Sequence, residues 1–453
     1  MKTIRIRVPK AAEMLIRKLN TAGFEAYAVG GCVRDSMLGS QPHDWDICTS
    51  AAPENVMELF RNQPSTHIIE TGLKHGTVTA VVDHVPYEIT TYRVEGGYTD
   101  HRHPDEVRFV QSLCEDLSRR DFTINAMAYH PDEGLQDFFG GREDLEKGLI
   151  RCVGQAEKRF EEDSLRILRA LRFSSRFGFQ IEEETERAIR HLYGTLSYVS
   201  VERIWQETQK MLCGKGIRDI LMQYPEVICY VFPELKPSLG FEQQNPYHHF
   251  TVYEHLVRST AEVPPETVLR LTMLFHDSGK PAAFFMDERG IGHAYGHAEI
   301  SVRLVGEAME RLKVDTKTRE RVLLLVKDHD LPRETNRRQM VRRLGTYGEE
   351  AYFQLLEVQR ADALGKGTFD REEVEREHAK RVALLREIIE EQPCVSLRDL
   401  AVNGADLIAL GVAPGKRIGN LLNRLLEDVL SEKLPNEREA LMEQAGQWIG
   451  EEE

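Results

Sequence analysis

The chain has 453 residues, with 59 lysines and arginines against 74 aspartates and glutamates, which gives a formal net charge of −15. Its 41% hydrophobic and 29% charged residues exclude a disordered or collagen-like polymer, and its length suffices for about three compact domains. The negative charge also excludes a protein that coats nucleic acid over its whole surface, because phosphate binding needs basic side chains; a local basic groove stays open.

Two further properties bear on where the protein works. No segment approaches the roughly 20 uninterrupted apolar residues of a membrane helix, and residues 1–20 mix Lys and Arg with isolated apolar residues. We therefore expect a cytoplasmic protein with no membrane partner. The seven cysteines are scattered and form no Cys-x-x-Cys pair, so we expect reduced thiols rather than disulfides or a zinc ribbon.

Residues 1–150 alternate short β-rich runs with glycine turns and helical stretches, which predicts a mixed α and β domain. The β-rich runs are Ala26–Val29, Thr77–Val82 and Tyr87–Thr91. From Glu157 to the end, helical periodicity dominates, and Phe160–Arg176 is predicted to be one long amphipathic helix.

Two aspartates are the first candidates for catalysis. On a strand, Asp44 and Asp46 would project to the same face while Trp45 points to the other. Adjacent carboxylates repel unless a cation lies between them, so the pair predicts a Mg²⁺ site that also binds substrate phosphates. Glu88, on a neighbouring predicted strand, is a candidate third carboxylate. Taken alone, both features also fit ordinary exposed acidic residues.

A glycine turn precedes these aspartates. Gly30 and Gly31 lack a Cβ, so their backbone amides can approach a triphosphate, and Arg34 offers a planar set of donors. With this turn before them, the two aspartates are better explained as part of a nucleotide-binding site than as ordinary exposed acidic residues.

The predicted helix from Phe160 carries polar side chains on one half and apolar side chains on the other. The polar half consists of Asp163, Arg166, Arg169 and Arg172. Asp163 can accept a hydrogen bond from an exocyclic amino group while Arg166 donates to the neighbouring ring nitrogen, an edge that cytosine and adenine present. Guanine and uracil present the reverse and would leave unpaired groups. The alternative is a salt bridge on a solvated helix.

Four motifs in chain order resemble the class II tRNA nucleotidyltransferases, which comprise the CCA-adding enzymes and their poly(A) polymerase relatives. They are Gly30-Gly-x-Val-Arg-Asp35, Asp44-x-Asp46, Arg119-Arg-Asp-Phe-Thr-Ile-Asn-Ala126 and Glu162-Asp-x-x-Arg166. The resemblance implies that Asp44 and Asp46 hold catalytic metals and that Gly31 and Arg34 contact the triphosphate. It implies that Arg120 and Asn125 engage sugar and phosphates, and that the motif from Glu162 serves as an amino-acid template. In this family a polar loop such as residues 92–105 helps to shift specificity from C to A.

A second set of residues resembles the HD phosphohydrolase superfamily. Its ligands would be His255, the adjacent His276 and Asp277, and Asp362, which together would hold a divalent transition metal. His297 and His329 match this pattern more weakly. An inactive helical insert that only carries RNA is the alternative.

Near the C-terminus, residues 411–416 superficially suggest a phosphate loop. The spacing before Gly415 and Lys416 is one residue short, and Arg417 stands where Ser or Thr is required, so that interpretation fails. Residues 407–434 instead predict a helix-turn-helix whose turn meets RNA backbone or is purely structural.

The resemblance implies an α+β head with a polymerase β-like nucleotidyltransferase sheet over residues 1–150, followed by helical domains. These are a neck (151–240), an HD domain (241–375) and an RNA-binding tail (376–453). The expected function is addition of C, C and A to the tRNA 3′ end from CTP and ATP, with Mg²⁺ and without a nucleic-acid template. The alternatives are A-only or CC-only addition, a poly(A) polymerase, or an HD phosphohydrolase whose head only binds RNA.

Overall fold

The computed structural model describes residues 5–61, 63, 65–70, 72–96, 106–246, 249–333, 336–391, 394–431 and 433–451. The chain divides into two compact units, Met1–Pro233 with Arg311–Lys313, and Glu234–Glu310 with Val314–Glu453. Within the described ranges, no helix is long and apolar enough to cross a membrane. All seven cysteines lie within these ranges and are free thiols, as expected.

The first unit contains eleven of the described strands. They are β1 (Ala26–Val29), β2 (Ile47–Thr49), β3 (Thr66–Ile69), β4 (Thr77–Val82), β5 (Val85–Thr91), β6 (Arg93–Gly96), β7 (Glu106–Phe109), β8 (Met127–His130), β9 (Gly134–Asp137), β10 (Leu149–Ile150) and β11 (Gln180–Ile181). Seven of them form a mixed sheet in the order β3-β4-β5-β2-β1-β8-β9. Only β2 and β5 pair in parallel within it. The three predicted strands are confirmed, and β5 begins two residues earlier than predicted.

Helices cover this sheet and continue beyond it. They are α1 (Lys10–Thr21), α2 (Gly31–Met37), α3 (Pro53–Phe60), α4 (Leu113–Ser118), α5 (Gly141–Lys147), α6 (Ala156–Glu162), α7 (Leu165–Phe177), α8 (Glu183–Leu192), α9 (Val201–Leu212), α10 (Ile217–Gln223) and α11 (Pro225–Val231). The apolar half predicted for the neck helix packs inward, since Ile167, Leu168 and Leu171 are fully buried on α7. The head therefore combines a sheet with helices, as predicted.

The prediction of one continuous helix over Phe160–Arg176 is wrong. α6 ends at Glu162 and α7 begins at Leu165, because Asp163 adopts an extended backbone with φ −141° and ψ 101°. The Asp163 carboxylate accepts a hydrogen bond from the Leu165 N–H at 3.1 Å. Such a local side-chain bond competes with the helical hydrogen bonds and caps the new helix.

The second unit is mostly helical. Its elements are α12 (Val252–Glu262), α13 (Thr267–Phe275), α14 (Lys280–Ala283), β12 (Phe285–Met286), β13 (Gly292–His293), α15 (His297–Arg311), α16 (Thr316–Asp328), α17 (Arg337–Lys366), α18 (Arg371–Glu390), α19 (Gly404–Ala409), α20 (Lys416–Leu430) and α21 (Arg438–Glu451). One apolar core joins α13, α16, α17 and α18. A separate core joins α19, α20 and α21, which includes the predicted pair of helices in residues 407–434.

Candidate functional site

The two candidate aspartates lie directly before β2, in extended backbone rather than in the strand itself. The predicted alternation still holds, because Asp44 and Asp46 are exposed while Trp45 between them is buried at 7% exposure. Glu88 is exposed on β5, which pairs in parallel with β2 through Ile47 and Ile89. The parallel register therefore brings Glu88 to the level of Asp46.

The charges of these carboxylates act on one another. Protein atoms crowded around Asp46, followed by the charge of Glu88, raise the pKa of Asp46 to about 6, and Asp44 acts in the same direction. The carboxyl group is nevertheless open to solvent. An accessible site with an excess of carboxylate oxygen donors fits a hard divalent cation, which relieves this repulsion.

The glycine turn lies against one arginine. Gly30 has a φ of +79°, and a Cβ at this position would lie 2.9 Å from one terminal nitrogen of Arg120. The positive φ therefore favours glycine, and a Cβ here would also displace the Arg120 side chain. The Arg120 charge also lowers the pKa of Asp46, against the larger effects that raise it. Arg120 thus places a cation between the glycine turn and the carboxylates, while Gly31 begins α2.

Arg34 lies in the interior, with only 4% of the residue exposed. Its guanidinium donates to Asp35 at 2.8 Å and to the side-chain oxygen of Asn125, and it lies over the rings of Phe173 and Phe177. Asn125 in turn donates to Asp121 at 3.0 Å. Arg34 and Asn125 are therefore linked directly, and the structure places Arg34 beneath the predicted triphosphate site rather than at its surface.

Asp121 joins two residues of the candidate site, although the sequence analysis gave it no role. It accepts hydrogen bonds from Asn125 and from Arg169, whose Nε lies 2.9 Å from Asp121 Oδ2. Burial would raise the pKa of Asp121, but the charge of Arg169 and these hydrogen bonds hold it well below the usual range. The ionised carboxylate therefore joins the predicted sugar-binding Asn125 to the neck helix. Its place in the Arg119-Arg-Asp motif was the available signal.

The base-reading candidates are held by separate partners. Asp163 accepts from Arg203 on α9 at 3.1 Å, while Arg166 pairs with Glu162 at 3.0 Å. Arg166 also donates to the backbone oxygen of Arg119 at 3.1 Å. The alternative interpretation was a salt bridge between Asp163 and Arg166. Among the described residues, these two side chains form no ion pair with each other. The Nε–H of Arg166 has no acceptor in the described part of the chain.

The remaining neck arginines also have partners that local periodicity could not show. Arg169 pairs with Asp121, and Arg172 Nε lies 3.0 Å from the buried Glu207 of α9. Glu207 and Arg203 are four residues apart, so they share one face of α9. Helix α9 therefore supports the polar side of α7, a role that the sequence reasoning did not assign.

The four predicted HD ligands lie together in the second unit. His255 on α12 has its Nε2 3.2 Å from one oxygen of Asp277 and 3.2 Å from one oxygen of Asp362 on α17. His276 follows α13, and its Nε2 lies 3.0 Å from that of His255. All four residues are buried, and their ligand atoms lie within 4.8 Å of one another.

The two weaker matches are brought to the same place. His297 begins α15 and lies 3.0 Å from Asp277 Oδ1, while His329, after α16, lies 3.4 Å from the same oxygen. Asp277 Oδ2 faces His255 and His276 instead. The carboxylate of Asp277 therefore joins two groups of ligands, and each group could hold one metal ion. The second group, which contains His297 and His329, goes beyond the four ligands that the sequence predicted.

The orientation of the imidazoles fits metal ions. Nδ1 of His276 lies 2.8 Å from Met273 O, that of His297 2.8 Å from Ala294 O, and that of His329 2.7 Å from Val326 O. A carbonyl oxygen only accepts, so each Nδ1 carries a hydrogen and each Nε2 faces the cluster as the nitrogen that a metal ion would bind. Burial would lower the pKa of His276, but Asp277 raises it to about 9. The charge that retains this proton also attracts a metal cation.

Two lysines flank the cluster. Lys280 Nζ lies 2.6 Å from Asp277, and Lys366 Nζ lies 2.7 Å from Asp362. Burial would raise the pKa of both carboxyls, but the charges of these lysines help to hold them well below the usual range. A cavity of about 430 Å³ opens beside the cluster and includes both lysines in its walls.

The other predicted features lie partly outside the described residues. Strands β6 and β7 form an antiparallel hairpin at the ends of the polar loop, but residues 97–105 lie outside the described part. In the tail, Gly415 has a φ of +146° and Lys416 begins α20, so they form the expected turn between helices.

Three family models match the chain. They describe a poly A polymerase head domain over residues 26–151, a probable RNA- and SrmB-binding site of polymerase A over residues 178–239, and a putative domain 2 of tRNA nucleotidyltransferases over residues 297–445. The first two matches lie in the first compact unit, and the third lies mostly in the second.

Curated relatives and solved structures agree with these models. The CCA-adding enzyme of Enterococcus faecalis is 34% identical over 434 residues, which are 96% of this chain and 94% of that protein. The CCA-adding enzyme of Leuconostoc mesenteroides is 52% identical over 222 residues, or 47% of this chain and 54% of that protein, so there the chain spans about half of the relative's length. The crystal structure of the Bacillus stearothermophilus CCA-adding enzyme in complex with CTP has a TM-score of 0.71, 31% identity and 97% coverage of both chains.

Proposed function

The chain belongs to the CCA-adding enzymes, and from this membership we propose that it adds C, C and A to the 3′ end of tRNA from CTP and ATP. The reaction transfers a nucleotidyl group to the RNA 3′-hydroxyl and releases pyrophosphate, with no nucleic-acid template. The observation that carries the proposal is the separate anchoring of Asp163 and Arg166, which leaves an acceptor and a donor for one base edge.

The carboxylates supply the metal site of this reaction. Asp44 and Asp46 would hold two Mg²⁺ ions, with Glu88 beside them. When bound, Mg²⁺ lowers the pKa of the 3′-hydroxyl and neutralises charge on the leaving pyrophosphate. The chain itself supplies the oxygen ligands and the negative field that retains the ions, and it needs no covalent nucleophile.

The triphosphate and sugar would lie against the glycine turn. Gly30 leaves the space that Arg120 occupies, and Arg120 offers a cation at the surface of the site. Arg34 would support the site from the protein interior, because it is buried and donates a hydrogen bond to the Asn125 side chain. We infer that Arg34 orients Asn125 toward the ligand, and that Gly31 contributes its backbone at the start of α2.

Base selection would rest on the template motif. Asp163 accepts a hydrogen bond from the amino group of C or A, and the Nε–H of Arg166 is available for the ring nitrogen. Glu162 fixes Arg166, while Arg169 and Arg172 tie α7 to Asp121 and Glu207. UTP and GTP would leave unpaired groups against this edge and are therefore rejected.

Full CCA addition is favoured over CC-only addition because the polar segment of residues 92–105, which in this family helps to shift specificity from C to A, is present. The test uses tRNAs that end before C, C and A, each incubated with CTP, ATP, UTP or GTP alone and with CTP and ATP together. Full addition requires both CTP and ATP and stops after A. Extension of every RNA with ATP alone would instead indicate a poly(A) polymerase.

The same proposal extends to the domains. A head over residues 1–150 and a neck over 151–240 would carry the chemistry, and a tail over 376–453 would bind tRNA. The tail has a separate apolar core, which supports an independent module. Replacing Lys416 with glutamate should weaken tRNA binding, measured by a filter or gel-shift assay, without changing CTP binding.

A second candidate function belongs to residues 241–375, which we propose to be a metal-dependent phosphohydrolase. It is supported by the inward-facing Nε2 atoms and by Asp277, whose two oxygens face different ligand groups. Histidine nitrogens favour a transition metal such as nickel over magnesium, and the carboxylates of Asp277 and Asp362 supply oxygen ligands that also suit manganese. Bound metal would activate water for attack on a phosphoester, while Lys280 and Lys366 would contact its phosphate oxygens.

Elemental analysis and hydrolysis assays test this second function. The purified protein, loaded with Mn²⁺ or Ni²⁺, should bind up to two ions and release phosphate from nucleotides or cyclic phosphates. His297→Ala should reduce the metal content by one ion, because His255, His276 and Asp362 remain. Absence of both metal and hydrolysis in the unaltered protein would leave the helical insert as an RNA carrier only.

A further inference from the structure

The cavity beside the metal-ligand cluster has one wall made of aromatic rings. We define the aromatic shelf as Phe285, His293 and Tyr295, on the hairpin of β12 and β13 and the residues that follow it. His293 stacks on Tyr295 with 5.3 Å between ring centroids and 21° between planes, and it lies 5.5 Å from Phe285. His293 and Tyr295 line the same cavity as Asp277, Lys280 and Lys366.

The rings of the aromatic shelf are open to solvent. Tyr295 is 74% exposed and Phe285 is 45% exposed, although large apolar rings are usually covered. Their position beside a cavity that also carries cationic and metal-binding groups distinguishes them from scattered surface aromatics. An exposed planar ring is the surface on which a nucleobase stacks, with little dependence on base identity.

The hairpin that carries the shelf is held in place. The Gly292 N–H donates to Gln244 O at 2.8 Å, and the Asn245 side chain donates to Gly292 O at 3.0 Å. A Cβ on Gly292 would lie 2.3 Å from Gln243 O, so glycine permits this close approach. His293 is fixed further by Asp287, 2.9 Å from its Nε2. The shelf is therefore preorganised and does not have to be ordered by a ligand.

The cavity also has the dimensions and polarity of a nucleotide site. Its volume of about 430 Å³ lies in the range of small-molecule pockets. One part offers Lys280 and Lys366 beside the metal-ligand cluster, and another offers His293 and Tyr295 of the aromatic shelf with the amides of Gln243 and Asn245. Lys280 donates to Gln243 at 3.0 Å, which links the two parts.

We propose that Tyr295 stacks the base of a nucleoside monophosphate bound in the second site, with the phosphate at the lysines and metal ligands. Tyr295 is then the residue that distinguishes a nucleotide from a phosphoester without a base. This inference rests on the proposed phosphohydrolase, whose proposed substrates include nucleotides, and it adds the residue that selects nucleotides over phosphoesters without a base. Water attacks the phosphorus, the ester P–O bond breaks, and the nucleoside leaves with a proton as its hydroxyl form.

The test compares the unaltered protein with Tyr295→Ala and Tyr295→Phe, each loaded with Mn²⁺ or Ni²⁺. Hydrolysis of adenosine 5′-monophosphate and of ribose 5-phosphate is measured as KM and kcat. Tyr295→Ala should raise KM for the nucleotide about tenfold or more, since stacking on one ring has this magnitude. KM for ribose 5-phosphate and both kcat values should change little, and Tyr295→Phe should behave as the unaltered protein.

A binding measurement separates this inference from the proposed hydrolysis. The non-hydrolysable phosphonate analogue of adenosine 5′-monophosphate is titrated by calorimetry into the metal-loaded unaltered protein, Tyr295→Ala and the control Tyr198→Ala. Tyr198 is also exposed, at 59%, but belongs to the first unit, so it should leave the affinity unchanged. The nucleotidyltransferase site is the same in all three proteins and its contribution cancels in the comparison.

The outcomes are distinct. Weaker analogue binding in Tyr295→Ala supports the shelf even if no phosphoester is hydrolysed, in which case only the proposed phosphohydrolase fails. If the KM of each substrate and the affinity for the analogue are the same in the variants as in the unaltered protein, the role of the aromatic shelf is refuted. The proposed phosphohydrolase is then unaffected. A parallel rise in KM for both substrates refutes the role of the aromatic shelf too, because the shelf would then act on the cavity in general.

Discussion

Replacing Asp163 with alanine should weaken the choice of base more than the chemistry of nucleotide addition. The Asp163 carboxylate makes three interactions, and Asp163→Ala removes all of them. Its Oδ1 accepts from the Leu165 N–H at 3.1 Å and caps α7, and its Oδ2 accepts from Arg203 at 3.1 Å. In the proposed complex it also accepts from the amino group of C or A. The metal-binding carboxylates are unaffected.

The loss of stability and the loss of base discrimination can be estimated separately. Loss of a helix cap costs about 0.5–2 kcal/mol of stability. A good base contact is worth roughly 1–3 kcal/mol of discrimination, and a tenfold rate ratio corresponds to about 1.4 kcal/mol. Incorporation of UTP or GTP relative to CTP should therefore rise on the order of ten- to a hundredfold. The melting temperature should fall by a few degrees, and residual addition should persist.

The assay is single-nucleotide addition to tRNA that lacks its terminal nucleotides, with the four nucleotides competed in pairs. Asp163→Asn is the matched control for stability, because its side-chain oxygen can still cap α7 while its amide no longer presents a carboxylate. Arg203→Met removes the ion pair but leaves the acceptor, so it should perturb discrimination less. Four rates that fall equally, with the preference for CTP and ATP intact, would make Asp163 a structural residue and refute the template argument.

Four further predictions concern the two metal sites. Asp44→Ala or Asp46→Ala should abolish nucleotide addition without unfolding the protein; addition at the unaltered rate would contradict the metal assignment. Because the pKa of Asp46 is raised to about 6, addition at limiting Mg²⁺ should fall as the pH drops through 6, and Glu88→Gln should move this midpoint to lower pH. Because the pKa of Asp46 is higher in the folded protein than in the unfolded chain, its ionisation destabilises the fold as the pH rises from about 4 to about 6. Asp46→Asn should therefore raise the melting temperature at pH 8 but leave it unchanged below pH 4. His276→Ala combined with Asp277→Ala should remove bound transition metal and phosphohydrolase activity but spare CCA addition, measured on the same preparations.

Local patterns predicted the parts of the site that depend on one stretch of chain. The alternation of Asp44, Trp45 and Asp46 gave the correct faces even though β2 begins only at Ile47, because an extended chain alternates with or without a sheet partner. The break after Glu162 was missed because periodicity alone cannot distinguish one helix from two in line. Asp163 and Ser164 are both residues that favour helix caps, and they carried the signal.

The partners across space could not be predicted in this way. Arg203 and Glu207 lie on α9, about 40 residues from the groups that they hold, and nothing in their own helix marks them as other than surface charges. The second metal-ligand group shows the same limit. His297 and His329 were recognised as a weak pattern, but only the fold shows that both face one oxygen of Asp277.

The interrupted helix has a consequence for how base preference changes between related proteins. In a continuous helix, a rise of about 1.5 Å per residue would fix the offset between positions 163 and 166. Here the acceptor is located by Leu165 and Arg203, and the donor by Glu162 and the backbone of Arg119. Their spacing is thus a property of the tertiary structure. If Asp163 and Arg166 read the base as proposed, substitutions on α9 or just after α4 should alter which nucleotides are accepted while both of these residues stay the same.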